Sequence, residues 1–149
     1  MYPTRFWENG FLRLVDFELD RSEPFTAFLF FRKDSRKAAD LLMEEFRSKD
    51  GRMTEKEMGD FVRTLTSGER GFRFSKQNFY NKVLGTFFRG FGFIAKVPTY
   101  DAPRRRSILA YRVVTQPVLQ RKPIKPSFLY LANETGKWWN DIMFPEDKS

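Results

Sequence analysis

The chain has 149 residues, 41% of them apolar and 18 of them Phe, enough for one globular domain with a substantial core and against wholesale disorder. It contains no Cys and no His, which excludes disulfides, zinc sites of the usual kind and Ser-His or Cys-His nucleophilic pairs; the expectation is a cytoplasmic, non-enzymatic protein without a cofactor. Its net charge of +8 is unevenly spread: residues 70–125 hold thirteen bases against the single acid Asp101, or +12, while the remainder carries −4, and an oriented field of that kind suits a polyanionic partner.

The N-terminal MYPTRFWENG lacks the apolar core of a signal peptide, and the longest apolar run, FTAFLFF over residues 25–31, is far too short to span a bilayer, so no membrane partner is expected. Phe11, Val15, Phe17 and Leu19 lie in a stretch that alternates towards its C-terminal end, the pattern of a strand. Residues 21–24 read as a turn, and TAFLFFR after it as a second, more buried strand, so an N-terminal β-hairpin is predicted within residues 1–33. From Asp34 or Ser35 the period lengthens: Ala38, Ala39, Leu42 and Phe46 recur at helical spacing, and Lys49-Asp50-Gly51 is a stop signal. Gly51-Arg52-Met53 is a short extended link. Thr54 with Glu57 three residues on predicts a capping box, with Met53 and Met58 in the staple positions. Met58, Phe61, Val62 and Leu65 then make one apolar stripe, and Ser67-Gly68 ends that helix.

A third helix is predicted over residues 75–89. Phe79, Val83 and Phe87 repeat every four residues with Tyr80 and Leu84 beside them, and at 100° per residue they form the buried side. The outward side then displays Asn78, Asn81, Lys82, Gly85 and Arg89, with Ser75, Lys76 and Gln77 at the N-terminal edge, and the helix has no acid. Phe88 falls opposite Phe79 with no evident contact. FGFIAKVPTY and RSILAYRVV predict a β-hairpin over residues 94–114, with a basic tip containing Arg104, Arg105 and Arg106. TQPVLQRKPIKPS is Pro-rich and basic and reads as an extended arm. The closing FLYLANETGKWWNDIMF predicts a helix or helix pair, with Trp138 and Trp139 either anchoring it or forming a partner patch.

The order helix, extended link, two helices and a hairpin with a charged tip resembles the winged helix-turn-helix superfamily over residues 34–114. The most specific stretch is SKQNFYNKVLGTFFRGFGFIAKV, where a capped helix with an apolar stripe runs through Gly90-Phe91-Gly92 into a strand. The connector of residues 67–74 is longer than the turn of a tight helix-turn-helix. The fold class this implies is α+β: a winged-helix core of three helices and a β-hairpin wing, with the N-terminal hairpin and a C-terminal Trp-rich helical extension over residues 115–149. The implied partner is duplex DNA, ahead of RNA, and the implied role is transcriptional regulation.

A B-form major groove admits one helix, and Gln77, Asn78 and Asn81 can pair with adenine while Lys82 and Arg89 meet guanine or phosphate. Backbone donors near Ser75 can take a phosphate. Lys96 continues the basic run along the wing, and Arg104, Arg105 and Arg106 can grip the backbone or enter a minor groove. Two-fold dimers are common among such regulators, and the aromatic additions are compatible with a homodimer. Two further readings stand beside this one. A winged-helix module could bind RNA or an acidic protein surface through the Pro/Lys/Arg arm. Alternatively Asp16, Glu18 and Asp20, on one face of the first strand, could hold Mg²⁺ as a nuclease.

Overall fold

The computed structural model describes residue 21 and residues 24–124 and 127–145. Among them the chain is mixed α+β, with five helices and one small antiparallel sheet. Its contacts divide it into two compact units. One combines the residues up to Arg36 with those from Thr115 onward, and the other is Lys37–Val114.

In the first unit, TAFLFFR is not the strand expected of it. Residues Phe25–Leu29 form a short helix, α1, with all five buried, and Phe30 N–H closes it by donating to Thr26 O at 2.9 Å. The predicted N-terminal hairpin therefore lacks its second strand; its first, with Asp16, Glu18 and Asp20, lies outside the described residues. A continuous apolar run has no period of its own, so burial on every side suits helix and strand equally. What selects the helix is aromatic packing. Phe25 meets Trp138 edge-on at 5.2 Å and Trp139 at 6.1 Å, and Phe28 lies 6.3 Å from Trp138. Both tryptophans belong to the last helix, Phe128–Met143, and both are buried. The Pro-rich segment before that helix is pinned to it. The Asn140 amide accepts from Gln116 N–H at 2.7 Å and donates to its C=O at 2.8 Å, and Asn133 accepts from Leu119 N–H.

In the second unit the local signals hold closely. The helix α2, Lys33–Ser48, starts in the first unit one or two residues earlier than predicted, continues into the second, and ends where Gly51 N–H donates to Phe46 O. Strand β1, Arg52–Thr54, replaces the extended link, and α3, Glu55–Ser67, follows at once. Thr54 N–H donates to Glu57 Oε1 at 3.0 Å and Glu57 N–H to Thr54 Oγ1 at 3.1 Å, so the capping box is complete. Met58, Phe61, Val62 and Leu65 are buried together with Met53. Gly68, at φ +85°, terminates α3.

The next helix, α4, covers residues 76–90. It is α-wound over Lys76–Asn78 and π-wound over Phe79–Leu84 and Thr86–Gly90. Strands β2, Ile94–Asp101, and β3, Arg106–Val113, then form the predicted hairpin. The sheet order is β1-β3-β2, with Thr54 opposite Ala110 and Lys96 opposite Tyr111. The final helix, Phe128–Met143, is α5 and is single rather than paired.

Candidate nucleic-acid interface

Lys76, Gln77, Asn78, Asn81, Lys82 and Arg89 are all exposed along α4. Ser75 caps the helix through Asn78 N–H, which donates to Ser75 Oγ at 3.1 Å. The buried side consists of Phe79, Val83, Leu84 and Phe87. Two details depart from the helical wheel. Gly85, expected on the outward face, is buried, because the Arg89 guanidinium folds back over it: one nitrogen lies 2.9 Å from where a Cβ would stand. Phe88, expected on the far side, reaches the sheet and packs edge-on against Tyr111 at 6.4 Å. The winding accounts for Phe88: with i→i+5 bonding each residue turns through less than 100°, so between Phe79 and Phe88 the accumulated turn falls short of the α-helical value and Phe88 comes round towards the side of Phe79 instead of opposite it. π-Winding is rare and tends to mark functional sites.

Arg89, Asn81 and Lys96 meet at one cleft of about 210 Å³, whose apolar wall is Tyr80, Phe88 and Tyr111. Sequence reasoning missed this wall, since it needs the β2–β3 register and the π-winding together. Burial raises the Tyr80 phenol above its ordinary value. The charge on the Tyr111 oxygen, then hydrogen bonds to Tyr111 and Glu55, raise the Lys96 ammonium. The cleft therefore presents the Arg89 and Lys96 cations beside a Tyr80 phenol that stays neutral at neutral pH. Lys96 is partly engaged: its Nζ lies 3.4 Å from Glu55 Oε1 and 5.1 Å above the Tyr111 ring.

The hairpin tip is a separate place. Arg104, Arg105 and Arg106 are exposed at the β2–β3 turn, where Arg105 has φ +52° and Arg104 Nε lies 3.6 Å from Asp101 Oδ2. Arg104 and Arg106 line a groove of about 600 Å³ that shares no residue with the α4 cleft. Not all of the basic segment is available for a partner. Arg70 pairs with Glu45 at 3.5 Å and covers the Phe61 ring, and Lys122 pairs with Glu134 at 3.6 Å and covers Tyr130. Conversely, Arg52 stands directly opposite Arg112 across the β1–β3 ladder, both exposed, a like-charge juxtaposition that an anion would relieve.

No protein-family model matches the chain, and neither does any curated protein or solved structure.

Proposed function

We propose that this protein is a non-catalytic, duplex-DNA-binding module of winged-helix type acting in transcription regulation. In this reading α4 enters the major groove and the β2–β3 hairpin is the wing. The observation that carries it is the element order: α2, β1, α3 and α4 precede a hairpin whose sheet order is β1-β3-β2, and the +12 segment supplies the outward residues of α4 and the hairpin tip. Asn78, Asn81 and Gln77 are donors and acceptors suited to base edges, while Lys82, Arg89 and the tip arginines suit phosphates. The 67–74 connector is held by Phe74 N–H donating to Leu65 O at 3.0 Å, so its extra length is folded back against α3.

Anisotropy titration with a mixed-sequence duplex at several salt concentrations tests this. With ~6 phosphates contacted, log K should fall against log salt with a slope of about −5. No binding at low salt, or binding indifferent to salt, would sink the reading. A second reading, single-stranded DNA or RNA, is favoured by the aromatic wall of the α4 cleft beside Arg89 and Lys96, because stacking on aromatic rings needs unpaired bases. A single strand that outcompetes the duplex would select it.

A further inference from the structure

The cleft beside α4 is built around a glycine that makes room for a charge. Gly85 has helical dihedrals, φ −59° and ψ −38°, so the backbone there does not require glycine. In a helix interior glycine is in fact less stable than alanine. What uses its bareness is Arg89. A Cβ at Gly85 would stand 2.9 Å from Arg89 Nη2 and 3.7 Å from Arg89 Cζ, so the guanidinium occupies the space a side chain would fill. Arg89 is exposed and meets no carboxylate among the described residues. A cation is thus held in place with its charge unanswered.

The other charges at the cleft nearly cancel, because Lys96 Nζ lies 3.4 Å from Glu55 Oε1. One unopposed cation remains, and a single negative charge balances it; a second would face the Glu55 carboxylate. The rest of the lining asks for something flat and apolar. The half-buried rings of Tyr80 and Phe88 form the wall, and the π-winding of α4 brings Phe88 round to it. A volume of about 210 Å³ is below the roughly 300–1,000 Å³ of pockets for drug-sized ligands, so one ring system and its substituent fit. Asn81 is exposed in the same lining, and its amide can pair with the edge of adenine.

We infer that the α4 cleft holds one unpaired adenine nucleotide of a single strand, its base against the Tyr80 and Phe88 rings and its phosphodiester on Arg89. The inference rests on the single-strand reading and extends it to one nucleotide, one charge state and one positioning residue, Gly85. A phosphodiester within a strand carries one negative charge, which Arg89 alone balances. A free nucleoside monophosphate loses its second proton near pH 6, so at neutral pH its extra charge would be set against Glu55. A base inside a duplex has both faces covered by its neighbours and cannot lie on the aromatic wall.

Three probes separate base from charge: adenosine, adenosine monophosphate and the methyl ester of that monophosphate. Each is titrated against the isotope-labelled full chain and followed by NMR at the amides of Gly85, Phe88 and Lys96. The methyl ester should bind about tenfold more tightly than adenosine, the effect of one charge-assisted contact, and at least as tightly as the monophosphate. Gly85→Ala should displace Arg89 without unfolding the chain, since the atoms in its way are the flexible guanidinium and the Tyr80 carbonyl at 3.2 Å. Its thermal midpoint should match or exceed that of the wild type. It should abolish the ester's advantage over adenosine, whereas a general loss of structure would weaken both. Glu55→Gln should reverse the order of ester and monophosphate. A fluorescein-labelled single strand of deoxyadenosines should bind Gly85→Ala at least threefold more weakly than the wild type. If the strand binds but the probes leave the cleft amides unshifted, or Gly85→Ala weakens adenosine and ester alike, the pocket is overturned while the single-strand reading stands. A wild type that prefers the monophosphate would make the ligand a free nucleotide and overturn the assignment to a strand. If neither strand nor probe binds, both fall.

Discussion

Gly51 joins α2 to β1 at φ +80°, and a Cβ there would stand 2.7 Å from Val113 Cγ2. Conformation and close approach therefore both require glycine, and Gly51→Ala should cost about 1–3 kcal/mol in denaturant unfolding. Adding Val113→Ala should recover the steric part and leave the backbone part, so the two changes should be non-additive. Three residues on, Thr54 N–H donates to the Glu57 carboxylate, and that bond, helped by Lys49 Nζ at 3.1 Å, holds the carboxyl below its ordinary value. Its contribution to stability is complete at neutral pH and is lost as pH falls from about 4.3, the unfolded value, through the lower folded one. Glu57→Gln keeps an oxygen for the capping box but loses the charge. It should be less stable than the wild type at pH 7, by less than about 1 kcal/mol for so exposed a group, and the difference should close as the pH falls below about 4. Equal gaps at pH 7 and pH 3 would assign the effect to shape rather than charge.

At the scale of elements, the helices and strands of the second unit were largely legible because their signals act over a few residues. Thr54 and Glu57 are neighbours on one turn, and the alternation of residues 94–100 and 106–113 reads directly as a hairpin. Two elements were misread for different reasons. The apolar run at residues 25–29 has no period, and its helical state depends on Trp138 and Trp139, more than a hundred residues away. In α4 the four-residue repeat is legible but its pitch is not, and an α-helical pitch leaves Phe88 opposite Phe79 with no evident contact and Gly85 on the outward face. Packing, not propensity, holds α1 and α5 together. Trp139 is 0% exposed, and Trp139→Ala should therefore cost about 3–5 kcal/mol, measured as a lowered denaturant midpoint. Phe144→Ala, at the half-buried C-terminal end of α5, should cost clearly less.

For the molecule as a whole, the proposal concerns where charge lies rather than how much there is. Lys82→Glu with Arg89→Glu and Lys33→Glu with Arg47→Glu each lower the net charge by four. The first pair lies on the exposed residues of α4, the second on α2 among its acids. Duplex affinity should fall more than tenfold in the first and less than threefold in the second, with unchanged circular dichroism in both. Equal losses would mean a diffuse polyelectrolyte attraction. The sequence by itself determined the +12 segment, the absence of His and Cys chemistry, the capping box and the helix–helix–hairpin order, since composition and short-range spacing need no knowledge of distant neighbours. Only the tertiary structure decided the sheet order β1-β3-β2, the cleft of Arg89 and Lys96 against Tyr80, Phe88 and Tyr111, and the withdrawal of Arg70 and Lys122 into ion pairs. It also decided that Pro98 faces the outer edge of β2. Each of these depends on which residues meet across long stretches of chain, and that is set by the burial of the common core rather than by any local pattern.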